Sequence, residues 1–190
     1  MRKLVGDSAF LLGISQPDAR ERAAAARAYA VAHLEELHLE VQASFARRGI
    51  GYHRVSTPAE AVATVARLLG DAKRVPKSKT MVGEEVGLTH ALRAKGIDIL
   101  ETDIGEYIVD IEGRGPSHIT APAVHLNRAK IKALLERAGL QLEDDDPTRL
   151  SQAVRDVVGD FFRDCDAAIT GGNLVIASSG RIGIVENEGN

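Results

Sequence analysis

Cysteine is nearly missing from this sequence. Cys165, in FFRDCDAAIT, is the only one, so no internal disulfide can form, and one thiolate cannot hold an iron–sulfur cluster, which usually takes four. Its apolar neighbours predict an inert buried thiol, with a reactive one as the alternative. Long hydrophobic runs are also missing: none approaches the roughly 18 residues of a spanning helix, and the first twenty residues have no charged start, apolar middle and small-residue cleavage site. A soluble, cytoplasmic protein with no membrane partner is the expectation. An excess of one charge is lacking too, since 24 Lys and Arg oppose 27 Asp and Glu for a net charge of −3 and a pI of about 6.1. That balance gives no broad electrostatic reason to bind nucleic acid. No internal repeat, low-complexity tract or dividing linker occurs. What is present is an ordinary globular composition, 44% hydrophobic and 27% charged over 190 residues, enough for one domain that hides roughly 70% of its unfolded surface.

The chain divides by pattern into an N-terminal helical arm, 1–48, and an α/β domain, 49–190. The run QPDARERAAAARAYAVAHLEELHLEVQASFARR, from Gln16 to Arg48, predicts one long helix entered at Pro17 and Asp18 and closed by Gly49. Ala30, Leu34, Leu37, Val41 and Phe45 form its apolar stripe, whereas Ala23 to Ala26 have little to bury, so that end is expected to project towards a partner or a further segment. After Gly49 the pattern alternates. IGYHRV reads as a strand, TPAEAVATVARLLG as a helix capped by Thr57 with Pro58 in its first turn, and KRVPK as a short strand. GEEVGLTHALRAKG then reads as a helix, IDILET as a strand, EYIVDI as a second strand or extended segment, and LNRAKIKALLERAG as a helix. DDDPTRLSQAVRDVVGDFFRDC predicts a further helix with Asp146 as cap and Pro147 first, followed by strands AAIT, LVIA and IGIV. This alternation predicts an α/β fold with an open, mostly parallel sheet flanked by helices.

Three stretches carry candidate chemistry. In VPKSKTMVGEEVGL, Lys77, Ser78, Lys79 and Thr80 follow a strand, and Glu84 and Glu85 lie in the next helix. Ligands of open α/β sheets bind beyond the carboxyl ends of strands, where lysines and free N–H groups meet an anion; a solvated connection is the plainer alternative. The glycine spacing of a P-loop is missing. In ETDIGEYIVDIEGRGPSHITAPAVH, Glu101, Asp103 and Glu106 crowd a strand end, and carboxylates placed so can act as acid or base if burial separates their pKa values. Arg114, Ser117 and His118 form a turn able to hold a carboxylate, and His118 and His125, separated by Pro122, are placed poorly for a metal. In TGGN, Thr170, Gly171, Gly172 and Asn173 let backbone approach a ligand and offer an amide, and Glu186 in the terminal VENEGN follows a strand. An ordinary turn joining strands is the plainer alternative for the first, and a surface side chain for Glu186.

Taken together, KSKTMVGEEVGL, DILETDIGEYIVDIEGRGPSHITAPAVHLNRAKI and AAITGGNLVIASSGRIGIVENEGN resemble the LUD, or lactate-utilisation, domain family, from about Arg20 onward. The closest likeness is to the amino-terminal part of the family's B-type iron–sulfur proteins. That resemblance implies a fold similar to the sugar-phosphate isomerases and coenzyme A transferases, and a part in oxidising L-lactate to pyruvate beside other lactate-utilisation subunits. It implies no cofactor in this chain, with 4Fe-4S clusters expected only in further C-terminal sequence or in partner subunits. Lactate's carboxylate would meet Lys77, Lys79 or Arg114, and Glu85 or His118 would take the hydroxyl proton. Likeness of VENEG to the Glu-Asn-Gly-like turn of coenzyme A transferases makes Glu186 the corresponding nucleophile. Ser178 and Ser179 depart from the acidic residue and threonine that the resemblance leads one to expect. The alternatives are a stand-alone isomerase- or transferase-type enzyme on small anionic metabolites, and a non-catalytic scaffold subunit.

Overall fold

The structure, a computed structural model, describes residues 16–115, 117–118 and 121–185. The chain forms two compact units, one comprising residues up to Tyr52 with Val175–Ile182, the other His53–Leu174 with residues from Gly183 onward.

In the first unit, helices α1, Gln16–Ala32, and α2, Leu34–Arg47, stand where one long helix is predicted. The interruption is a single residue. His33 takes φ −121° and ψ 32°, stacks on Tyr29 with ring centroids 4.0 Å apart, and still keeps the helical hydrogen bonds, its N–H donating to Tyr29 O and its O accepting from Leu37 N–H. Residues 18–29 of α1 are exposed along their whole length. Burial grows only towards the end of α2: Ala30, Leu37 and Val41 are half-buried, Leu34 is exposed, and Phe45 is buried. Gly180 packs against Ser44 and Phe45, Arg48 donates to Ser179 O at 2.6 Å, and Tyr52 meets Phe45 edge-on and shares a 2.6 Å hydrogen bond with His38. The segment IGYHRV therefore has no strand partner; its aromatic ring serves packing instead, and residues 50–56 are irregular.

The second unit is built on strands β1, Arg74–Lys77, and β2, Asp98–Glu101, paired in parallel with Lys77 opposite Glu101. AAIT adds a third parallel segment beside β1 through a bridge between Lys77 and Ile169. Asp166 starts that pairing by accepting the N–H groups of Lys73 and Arg74 at 2.7 and 2.9 Å. Alternate residues of the strands face opposite layers. Val75 and Ile99 join Leu88, Leu92 and Ile97 against helix α3, Pro58–Leu69. On the other face Leu100 packs on Tyr107, Leu135, Leu150 and Val154. Full burial of such side chains contributes about 1.5–3 kcal/mol each relative to exposure, so this two-sided core fixes the sheet.

Helix boundaries follow the local chemistry. Thr57 caps α3 with Pro58 first, and Asp146 caps α8, Pro147–Arg163, with Pro147 first, both as predicted. The run after β1 gives two short helices, α4 (Met81–Glu85) and α5 (Leu88–Arg93), because Gly87 at φ 65° turns left-handed between them. EYIVDI, expected to be extended, is instead most of helix α6, Ile104–Glu112. Asp103 accepts Glu106 N–H at 3.0 Å to cap it, and Ile104, Tyr107 and Ile111 recur at helical spacing into the core. Helix α7, Arg128–Arg137, is capped by Asn127. Strands β3, Leu174–Ile176, and β4, Arg181–Gly183, pair with each other.

Candidate functional site

Three parallel segments run in one direction, so their carboxyl ends lie along one edge: Lys77 with Ser78, Lys79 and Thr80, Glu101 with Thr102 and Asp103, and Ile169 with Thr170 and Gly171. This edge joins parts of all three predicted stretches. Ser78 N–H donates to Ile169 O at 2.9 Å, Ser78 Oγ donates to Thr170 Oγ1 at 2.9 Å, and Gly171 lies against Thr80.

Two lysines of unlike burial divide the edge. Lys77, 0% exposed, points into the protein. Its Nζ donates to both carboxylate oxygens of Glu101, at 2.9 and 2.8 Å, and to Glu84 Oε1 at 3.2 Å; Thr89 Oγ1 adds a 2.8 Å bond to Glu101. Burial pushes the Glu101 carboxyl above its ordinary range, and the hydrogen bonds and charge of Lys77 oppose that rise. Lys79 remains half-buried at the surface and pairs at 3.1 Å with Glu106, itself 7% exposed, in the first turn of α6. Thr102 Oγ1, buried between these pairs in sequence, has no hydrogen-bond partner among the described residues. Arg93 braces the edge from below, donating to both Asp110 oxygens at 2.6 and 2.7 Å and to Ile99 O at 2.7 Å. The Asp110 hydrogen bonds raise its pKa further.

The remaining candidates stand elsewhere. Glu85 is exposed at the end of α4, and Arg114 and His118 are exposed after α6. Ser117 Oγ lies 2.9 Å from Pro122 O and 2.8 Å from His125 Nδ1, while His125 Nε2 lies 2.8 Å from Glu112. This chain of groups closes the loop and pairs His125 with a carboxylate. Pro122 in turn packs on Gly105 in the first turn of α6. Asn173 is engaged by the following chain: its N–H donates to Gly183 O at 2.9 Å and its Oδ1 accepts Val185 N–H at 2.8 Å. Gly172 is exposed, Cys165 is half-buried with its Sγ 3.3 Å from Phe162 O, and Glu186 lies outside the described residues. No group of three or more His, Cys, Asp or Glu suited to a metal occurs among the described residues, and none of the described helices is long and apolar enough to cross a membrane.

Sequence reasoning missed Thr89, Thr102 and the partnership of Glu112 with His125. Only the strand register could have exposed the first two, because Thr89 meets Glu101 through a chain fold of twelve residues.

Comparison with known proteins now decides the family. The LUD domain matches residues 39–190. The chain belongs to the LUD domain family. Curated relatives include the proteins called lactate utilization protein B of Bacillus thuringiensis strain Al Hakam, Bacillus cereus strain B4264 and Bacillus anthracis strain CDC 684 / NRRL 3495. Each is 34% identical over 174 residues, covering 90% of this LUD chain and 37% of the relative. The chain thus spans a little over a third of the length of these relatives. No solved structure matches it.

Proposed function

We propose that this LUD domain is the substrate-binding module of a lactate-utilisation system that oxidises L-lactate to pyruvate, holding a 2-hydroxycarboxylate at the carboxyl edge of its sheet. The relatives' names support the system, and the Lys79–Glu106 pair supports the module. Lys77 is committed to the carboxylates of buried Glu101 and exposed Glu84, whereas Lys79 reaches the surface with a single acidic partner among the described residues. A ligand carboxylate competes with Glu106 for the Lys79 ammonium, and Glu106, once released, is a base beside the ligand's hydroxyl. The hydroxyls of Ser78 and Thr170 are placed to orient it. Electrons leave through another part of the system: one cysteine cannot supply the thiolates of a 4Fe-4S cluster.

By the same reading the fold is related to the sugar-phosphate isomerases and coenzyme A transferases, on the strength of parallel strands with helices on both faces. Partner subunits would dock on α1, whose residues 18–29 are exposed.

Lactate titration followed by amide and side-chain NMR tests the site. Lys79→Met should abolish binding and Lys79→Arg should retain part of it, while Glu106→Gln should keep binding but slow lactate-dependent electron delivery in the assembled system. Unchanged lactate binding in Lys79→Met refutes the assignment.

A further inference from the structure

Behind the sheet, helices α6, α7 and α8 line a half-open cavity of about 160 Å³. Ile104 and Ile108 of α6, Leu135 of α7, and Leu150 and Val154 of α8 line it. Leu135 and Val154 are almost wholly buried, so the cavity reaches the centre of this layer. Its volume is close to the roughly 150 Å³ that admits a benzene-sized guest.

The polar lining is unusual for a simple packing gap. It consists of Arg128, at the first position of α7, and Ser151 of α8. Neither side chain has a hydrogen-bond or ion-pair partner among the described residues. No carboxylate lines the cavity. The nearest acidic residues in sequence, Asp103 and Asp146, already accept backbone N–H groups as helix caps. α7 differs in having the neutral Asn127 as its cap and no acidic residue in its first turn. The chamber is therefore apolar inside and cationic at its rim.

We propose that this cavity binds a monocarboxylate carrying a short aliphatic chain, with the chain among the isoleucines and leucines and the carboxylate on the Arg128 guanidinium and Ser151 hydroxyl. Apolar surface buried by the tail supplies most of the affinity, and the guanidinium selects an anionic head. The site is separate from the Lys79–Glu106 edge and does not rest on the lactate reading. α6 connects them, since Glu106 serves the edge while Ile104 and Ile108 line the cavity.

Hexanoate is the probe, titrated into the full chain with methyl NMR as the readout, against hexanol as the uncharged analogue and acetate as the tail-less one. Hexanoate should saturate and shift the methyl signals of Ile104, Leu135 and Val154, and acetate should not. Arg128→Gln should weaken hexanoate about tenfold and leave hexanol unchanged. Ser151→Leu should fill the cavity and abolish both while the melting temperature holds or rises; Ile131→Phe provides a second filling variant at another wall residue. Absence of saturable hexanoate binding overturns the proposal. So does hexanoate binding that survives either filling variant in folded protein, or equal weakening of hexanoate and hexanol by Arg128→Gln.

Discussion

Replacing Lys77 with methionine tests how the sheet edge is held. At 2.8 Å and an effective dielectric near 20, the attraction between its ammonium and the Glu101 carboxylate is about 6 kcal/mol. Desolvation opposes it by several kcal/mol for each ion, so the intact pair contributes little net stability. Removing the lysine alone deletes the attraction and leaves a buried carboxylate with only Thr89 as partner. The expected loss is about 3–5 kcal/mol, which for a chain of this size lowers the melting temperature by about 6–20 °C. Adding Glu101→Leu should recover most of that loss, because an apolar pair of similar volume avoids both desolvation terms. The sign with pH is equally definite. Glu101 already has a raised folded pKa, and removing Lys77 raises it further; such a group stabilises fully below its unfolded pKa, about 4.3, and loses that stabilisation as pH rises through the folded value. Urea denaturation of the three proteins at about pH 4 and pH 7 is the assay. A deficit for Lys77→Met below about 1 kcal/mol at pH 7, or one undiminished at pH 4, refutes the buried-pair account.

Asp166→Asn should flatten the acid limb of the stability profile: backbone hydrogen bonds from Arg74 and Lys73 lower the aspartate's pKa, so its stabilisation is present above the unfolded value and lost as pH falls through the folded one. Denaturant midpoints across an acid series read this directly. Asp146→Ala should cost about 1 kcal/mol by uncapping α8, measured by equilibrium unfolding, whereas Asp146→Ser should cost little. Gly105→Ala would place a Cβ 2.8 Å from Pro122 Cγ; about 1–3 kcal/mol of destabilisation is expected, with NMR shifts concentrated in residues 117–125.

Boundaries written in local chemistry were legible in the sequence. Thr57 before Pro58 and Asp146 before Pro147 each place a cap and a rigid first residue side by side, and both helices begin there. EYIVDI misled because Tyr, Ile and Val favour strands in isolation. The spacing of Asp103 to Glu106 was the competing signal, and a capped first turn with Ile104, Tyr107 and Ile111 on one face prevailed. IGYHRV had strand composition, but residues 50–56 are irregular. The site was legible as three separate stretches. Their union depends on register: Lys77 opposite Glu101 and beside Ile169 brings residues 24 and 92 positions away into one edge. Long-range pairing of that kind leaves no local mark, so which lysine turns inward and which outward was beyond reach of spacing alone.

The inward lysine also gives the fold a chemical clock. Amine-reactive acylating reagents need an accessible nitrogen, and Lys77 Nζ is out of their reach while it is buried against Glu101 and Glu84. Lys79, two residues along the same chain, is reachable from water. Modification of the first can proceed only when the sheet opens, so the ratio of labelling at these neighbouring amines reports opening of the core, with the second as its internal standard.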